Sequence, residues 1–203
     1  MMQRFHALVD TIAPYINSNV WYVSIGNEID VFLSRHPEQW EAYKAFYRDA
    51  IQYIHRVVPS VRVGVTVTFD GAIGQDAGNI AAITSSSDVC IFTYYPLTGN
   101  FQVRDPTSPA IDFQFMLDLA GPRLVIVQET GYPSDTLLGS SEQKQAEFIS
   151  CAFSAWAAAP SRLQFVNFFA LHDLSRAICD TLLQYYGIPD TASYPMPHAQ
   201  LES

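Results

Sequence analysis

The sequence has few of the residue patterns that mark redox, metal or nucleotide sites. Its three cysteines stand far apart and form no C-x-x-C pair, so neither a zinc motif nor a redox motif is present. The histidines show no ligand spacing, and no G-x-G-x-x-G or Walker loop follows any apolar run. We therefore expect no metal and no cofactor, and a nucleotide-binding function is disfavoured.

Basic residues and long apolar runs are also scarce. Eleven Lys and Arg residues against twenty Asp and Glu residues give a net charge of −9. Nucleic-acid binding needs clustered Lys and Arg, so no nucleic-acid partner is expected. No apolar segment is long enough to cross a bilayer, and the N-terminus lacks the layout of a signal peptide. We expect no membrane partner; the compartment stays unknown, and a longer parent protein could be secreted.

Short apolar runs instead alternate with amphipathic stretches along a chain of 203 residues, of which 49% are hydrophobic. This length fits one domain with a sizeable core, which we predict over residues 1–180, followed by an irregular proline-rich tail over 181–203. The apolar runs predict strands over 20–27, 61–69, 88–96, 123–131 and 163–173. The amphipathic stretches predict helices over 37–58, 76–87, 108–120 and 140–159.

Near-continuous Val and Ile runs are typical of strands that are buried on both faces, which indicates a parallel sheet. Alternating strands and helices of this kind form either a closed barrel or an open, doubly wound sheet. A doubly wound α/β enzyme of another class is disfavoured, because no phosphate loop is present and glutamates end two of the strands.

Polar residues follow the strands where each one ends. These segments are Gly26-Asn27-Glu28, Tyr94-Tyr95-Pro96, Gln128 to Pro133, and His172-Asp173. In barrels and open parallel sheets alike, the C-terminal edge of the strands holds the active site. Hydrolysis of a glycoside with retention needs two carboxyl groups about 5–5.5 Å apart, and Glu28 and Glu129 are the candidate pair.

Three of these segments resemble one family in the correct order. SIGNEID resembles the Asn-Glu signature on strand four of the clan A glycoside hydrolases, and VIVQETGYPS resembles the strand-seven segment that carries the nucleophile. TYYP fits the tyrosine of strand six. Within the clan, the segments are most similar to those of endo-β-1,4-galactanases, and ETGYPS also to endo-β-1,3-glucanases. The resemblance implies a retaining hydrolase acting on a β-linked oligo- or polysaccharide.

The resemblance also implies a role for each candidate residue. Glu28 would be the acid/base, Glu129 the nucleophile, and Asn27 would bind a sugar hydroxyl. Tyr94 and Tyr95 are consecutive, so they point to opposite sides of an extended strand and only one can face the site. The remaining candidates for substrate binding are Tyr132, which could instead anchor a loop, and His172 and Asp173.

The resemblance runs from Val20 to Asp173 and corresponds to strands four to eight of the family, with residues 1–16 as the preceding helix. Strands one to three, and the arginine that the family carries on strand two, have no counterpart in the sequence. We therefore expect a partial (β/α)₈ barrel of about five parallel strands with flanking helices. Its open sheet edges predict a homo-oligomer. The alternative function is a non-catalytic carbohydrate-binding or structural fragment of such a barrel.

Overall fold

The structure is a computed structural model that describes residues 1–169, 177–178 and 181. Seven α-helices lie in the described part of the chain: α1 Met2–Ile12, α2 Ile29–Leu33, α3 Trp40–Val57, α4 Phe69–Ile73, α5 Ala77–Thr84, α6 Pro109–Ala120 and α7 Glu142–Ala158. Six strand segments lie there too: β1 Tyr22–Ser24, β2 Arg62–Gly64, β3 Thr66–Thr68, β4 Val89–Tyr94, β5 Leu124–Thr130 and β6 Leu163–Phe168. None of the helices described is both long and apolar enough to span a bilayer.

The strands form two hydrogen-bonded groups. β1 pairs in parallel with β2, in the register Tyr22 opposite Arg62, and the second group has the order β3-β4-β5-β6. β3 pairs in parallel with β4, with Thr66 opposite Ile91. The predicted strand 61–69 is therefore two segments, which separate at Val65 because β2 pairs with β1 whereas β3 pairs with β4.

The described residues divide into two compact units, and the boundary falls within β4, β5 and β6. The first unit comprises Met1–Thr93, Met116–Gln128 and Arg162–Phe165. Its sheet core contains the fully buried Val89, Ile91 and Ile126, against which Tyr22 and Leu124 pack. These residues recur at every second position of β4 and β5, as expected where one face of each strand lines an interior.

Helix α3 covers the outside of the first unit. Its buried residues recur at helical spacing: Trp40, Tyr47, Ala50, Ile51 and Ile54. The Tyr47 hydroxyl lies 2.6 Å from the Ser87 hydroxyl, and the Tyr43 hydroxyl donates to the Ile25 carbonyl oxygen at 2.7 Å. The second contact fixes the segment that follows β1.

The second unit comprises Tyr94–Phe115, Glu129–Ser161 and the described residues from Val166 onward. Its core is aromatic: Phe148 of α7 stacks on Tyr132 with ring centroids 4.9 Å apart, and Tyr94 meets Phe113 of α6 edge to face at 5.5 Å. Ser141 caps helix α7, because its hydroxyl accepts a hydrogen bond from the Lys144 amide.

Most elements lie where the sequence predicts them, with three corrections. The first strand covers only Tyr22–Ser24 of the predicted 20–27, because Gly26 and Glu28 have positive φ angles that end the extended backbone. The last strand covers Leu163–Phe168 of the predicted 163–173, and residues 170–173 lie outside the described part of the chain. The short helices α2 and α4 were not predicted, since five residues are too few for a hydrophobic period.

Candidate active site

Glu28 lies where the chain turns sharply after β1. Its φ and ψ angles are 47° and 48°, in the left-handed region that residues other than glycine rarely adopt. Gly26, two residues earlier, has a φ angle of 92°, and a Cβ atom there would come within 2.6 Å of Ile29 and 2.9 Å of the Tyr43 hydroxyl. The turn brings Glu28 to the start of α2 with its side chain half-buried. Local strain of this kind is concentrated at functional sites.

A buried carboxylate holds this turn in place. Asp30 of α2 is 4% exposed, and it accepts hydrogen bonds from the Thr68 amide at 2.9 Å and from the Thr68 hydroxyl at 2.5 Å. The Thr68 hydroxyl oxygen in turn accepts from the Gly71 amide at 2.9 Å, which caps α4. The two unpredicted helices are thus fastened to each other by Asp30. No sequence motif marked it as a site residue.

The Glu28 carboxylate is oriented by a residue of β4. Thr93 of β4 donates its hydroxyl proton to Glu28 Oε1 at 2.6 Å. Thr93 is 2% exposed and lies two residues after the core residue Ile91, on the same face of β4. Its alternation with Val89 and Ile91 was the one sequence signal that could have identified it.

Glu129 lies in the second unit, next to the last residue of β5. The Tyr95 hydroxyl donates to Glu129 Oε1 at 2.5 Å, and both side chains are half-buried. Gly131 makes this contact sterically feasible, because a Cβ atom there would come within 2.9 Å of both Tyr95 Cε1 and the Phe169 carbonyl oxygen. Glycine at position 131 therefore leaves space for the Tyr95 ring.

The two adjacent tyrosines do different things. Tyr94 is 1% exposed, and its hydroxyl donates to Asp112 of α6 at 2.6 Å; Asp112 also binds Arg104 at 2.8 Å. Burial and the neighbouring Asp112 carboxylate raise the pKa of Tyr94 far above its usual value. Tyr94 thus packs against a helix, and Tyr95 is the tyrosine that reaches a predicted catalytic carboxylate.

Tyr132 is an anchor for its loop. It is 2% exposed, and its hydroxyl donates to the Arg104 carbonyl oxygen at 2.6 Å. Burial raises its pKa above the usual tyrosine value. Gln145 of α7 also donates to the Tyr132 carbonyl oxygen at 2.7 Å. Of the two interpretations of Tyr132, these contacts favour the anchor.

Asn27 is exposed and takes part in a polar network that the sequence did not indicate. Gln128 Nε2 donates to Asn27 Oδ1 at 3.0 Å, and the Thr66 hydroxyl donates to Gln128 Oε1 at 2.6 Å. The Ser24 hydroxyl lies 2.7 Å from that of Thr66. The only sequence signal for Gln128 was its place directly before Glu129.

His172 and Asp173 lie outside the described residues, so their predicted contact with substrate stays a prediction. Among the residues that the structure describes, no three His, Cys, Asp or Glu side chains cluster closely enough to hold a metal ion. Cys90 is buried and Cys151 is half-buried, and both are free thiols.

The chemically important groups are two carboxylates, each oriented by a hydrogen bond. Glu28 lies after β1 and Glu129 lies near the end of β5; each is half-buried and accepts a hydroxyl hydrogen bond, Glu28 from Thr93 and Glu129 from Tyr95. Hydrogen-bonded carboxylates of fixed orientation are suited to proton transfer and to nucleophilic attack. The separation of about 5–5.5 Å between the two carboxyl groups stays a prediction.

The sequence matches no family model and no curated protein. The fold, in contrast, is similar to many solved structures. An exo-β-1,4-mannosidase from Opitutaceae bacterium strain TAV5 has a TM-score of 0.64 at 16% identity, over 89% of this chain and 35% of that one. A glycoside hydrolase family 17 β-1,3-glucanosyltransferase from Rhizomucor miehei has a TM-score of 0.60 at 12% identity, over 87% and 63%. A GH53 catalytic domain from Ignisphaera aggregans has a TM-score of 0.59 at 17% identity, over 82% and 53%.

These similarities confirm the predicted fold class. The chain has the mixed α/β fold of part of a (β/α)₈ barrel, with parallel strands and flanking helices, and the similar structures are glycoside hydrolases. The chain spans 35%, 63% and 53% of the lengths of these three proteins. The fold is therefore that of a segment of these enzymes.

Proposed function

We propose that the protein is a retaining glycoside hydrolase of clan A that acts on a β-linked oligo- or polysaccharide. Glu28 is the general acid/base and Glu129 is the nucleophile. The observation that carries the proposal is that Glu28 after β1 and Glu129 near the end of β5 are both half-buried, and that each accepts a short hydroxyl hydrogen bond, from Thr93 and from Tyr95. The proposed similarity to galactanases and β-1,3-glucanases rests on the ETGYPS and GNEI segments.

The first half of the proposed reaction forms a covalent intermediate. Glu28 gives its proton to the glycosidic oxygen as the Glu129 carboxylate attacks the anomeric carbon. The carbon–oxygen bond to the leaving group breaks, and a glycosyl ester with Glu129 forms. The Tyr95 hydrogen bond keeps one oxygen of Glu129 in place during the attack.

The second half releases the sugar. Glu28, now ionised, takes a proton from water, and the water oxygen attacks the anomeric carbon on the face that the leaving group left. The ester bond to Glu129 breaks, and the sugar leaves with its original anomeric configuration. Both glutamates return to their starting protonation states, so no metal or cofactor is consumed.

The alternative is a carbohydrate-binding or structural fragment without catalysis. It is favoured by the short span of the chain relative to the similar enzymes, 35% of the mannosidase and 53% of the GH53 domain. The family arginine of strand two also has no counterpart in the sequence. Such a fragment would keep the polar network around Asn27 but would not turn over substrate.

The first prediction is the test of catalysis. A panel of nitrophenyl β-glycosides and β-linked polysaccharides is assayed with the wild type, with Glu129→Gln, and with Glu147→Gln as a control at an exposed position of α7. We expect turnover by the wild type and the control, and a loss of at least about a thousandfold in kcat for Glu129→Gln. Equal rates for wild type and Glu129→Gln would remove the proposal, and binding without turnover would support the alternative.

A further inference from the structure

The polar network beside Asn27 connects side chains from three strand ends of the first unit. Ser24 ends β1, Thr66 begins β3 and Gln128 lies near the end of β5. Thr66 is completely buried, whereas Asn27 is exposed. The network therefore runs from the interior to the surface that carries Asn27.

The hydrogen bonds in this network have one direction. The single Thr66 hydroxyl proton goes to Gln128 Oε1 at 2.6 Å, so the Ser24 hydroxyl, 2.7 Å from that of Thr66, shares its one proton between Thr66 Oγ1 and the Gly26 carbonyl oxygen at 2.9 Å. Gln128 then has its amide nitrogen turned toward Asn27, to which it donates at 3.0 Å. In this arrangement Gln128 Oε1 faces the Thr66 hydroxyl and Gln128 Nε2 faces Asn27.

The direction of these hydrogen bonds determines which atoms Asn27, the exposed end of the network, presents to a ligand. Asn27 accepts through Oδ1, so its amide nitrogen Nδ2 faces away from Gln128, and it makes no hydrogen bond to the described part of the chain. An amide held in this way offers two N–H donors and cannot flip to offer an acceptor without losing the bond from Gln128.

We propose that Gln128 is a positioning residue that fixes Asn27 as a hydrogen-bond donor to a sugar hydroxyl oxygen, and that Thr66 sets the orientation of Gln128. This inference rests on the proposed function of the same site. Gln128 does not touch the substrate; it acts through Asn27. The ligand class is a sugar whose hydroxyl oxygen accepts a hydrogen bond at this position.

The first arm of the test needs no activity. The ¹⁵N and ¹H signals of the Asn27 side-chain amide are compared in the wild type, Gln128→Leu, Thr66→Val and Gln52→Leu, the last being a matched substitution at an exposed position of α3. The signals move in Gln128→Leu and Thr66→Val and stay in place in Gln52→Leu. Unchanged signals in Gln128→Leu would overturn the inference. Thr66→Val keeps the side-chain shape, so it provides the test if Gln128→Leu does not fold.

The second arm measures recognition. The best nitrophenyl glycoside is compared with its monodeoxy analogues, and for one analogue the wild-type kcat/KM falls about two- to tenfold, the value of one hydrogen bond. In Gln128→Leu that ratio shrinks toward one, and Gln128→Leu has no further effect on it in an Asn27→Ala background. A full ratio retained in Gln128→Leu would contradict the positioning role. If wild type and Glu129→Gln are equally inactive, the proposed function fails, while the amide signals still decide the role of Gln128.

Discussion

At the scale of single residues, the most informative feature is the backbone of Glu28. A glutamate with φ near 47° carries a strain that glycine would not, and the strain persists because Tyr43, Ile29 and Asp30 hold the surrounding turn. The backbone conformation at this position favours glycine, so the presence of glutamate is explained by its carboxylate. Such a cost is expected of the proposed acid/base, because active sites commonly trade stability for activity.

The prediction at this scale compares two truncations. Glu28→Gly and Glu28→Ala both remove the hydrogen bond to Thr93. Alanine is strained in the left-handed backbone conformation, whereas glycine adopts this conformation without strain. We expect the free energy of unfolding of Glu28→Gly to exceed that of Glu28→Ala by about 1 kcal/mol. At Glu129, which lies in β5, the order reverses because glycine weakens a strand. Urea denaturation of the four variants measures both differences. An alanine variant as stable as the glycine variant at position 28 would contradict the account.

At the scale of elements, the helices that follow β1 and β3 depend on one carboxylate. Asp30 satisfies the amide and the hydroxyl of Thr68, both of which would lose their partner if it were removed. Burial makes such a loss expensive, because no water replaces the missing acceptor. Asp30 is therefore a structural support for the segment that carries Glu28.

Removal of this carboxylate should loosen that segment. We expect Asp30→Ala to lower the free energy of unfolding by about 2–3 kcal/mol. Glu38→Ala serves as the control, because Glu38 is 68% exposed and should cost less than about 0.5 kcal/mol. Chemical denaturation gives both values. Equal stabilities of the two variants would show that Asp30 does not support the turn.

The elements also show what the sequence could predict. Strands β4 and β5 lie inside the predicted ranges 88–96 and 123–131. Continuous apolar runs of that length are typical of strands that are buried on both faces of a parallel sheet. The break at Val65 could not be predicted, since Val65 is as buried as its neighbours and only the change of pairing partner separates β2 from β3.

Some residues of the candidate site could likewise be predicted from the sequence, and others could not. Motifs identified Glu28 and Glu129, because the residues beside them have a recognisable local pattern. The partners Thr93 and Gln128 are 65 and 101 positions away from the side chains that they contact. Hydrogen bonds at such separations depend on strand order and register, which no local pattern contains. The sequence therefore indicated the two candidate carboxylates and Tyr95, but not Thr93 or Gln128.

At the scale of the whole molecule, the open strands of the first unit bear on assembly. In the part of the chain that the structure describes, β1 pairs as a strand only with β2 and β6 only with β5, and the Tyr22 hydroxyl of β1 donates to Gln164 Oε1 of β6 at 3.1 Å. Trp21 beside β1 is 67% exposed and Phe165 of β6 is 38% exposed. The half-buried Tyr22 ring lies 6.3 Å from that of Phe165. Edges and apolar patches of this kind invite pairing with another chain.

We therefore propose that the chain forms a homo-oligomer, most simply a two-fold dimer, through these edges. Light scattering coupled to size exclusion should give about twice the chain mass of 22.7 kDa at micromolar concentration. The double variant Trp21→Ser/Phe165→Thr should shift the protein toward monomer. Ile149→Ser, at an exposed position of α7, should not. A monodisperse wild-type monomer that unfolds cooperatively would contradict the proposal.

The central claim is that Glu28 and Glu129 act as acid/base and nucleophile on one glycosidic bond. Azide tests it most directly, because an anion needs no general base and can replace water in the second half of the reaction. With an activated aryl glycoside, Glu28→Ala should accumulate the glycosyl-enzyme, and azide should restore turnover with a β-glycosyl azide as product. In Glu129→Ala, azide should instead take the nucleophile's place and give the α-glycosyl azide. Wild-type turnover that neither substitution reduces, with no glycosyl azide from either variant, would contradict the account.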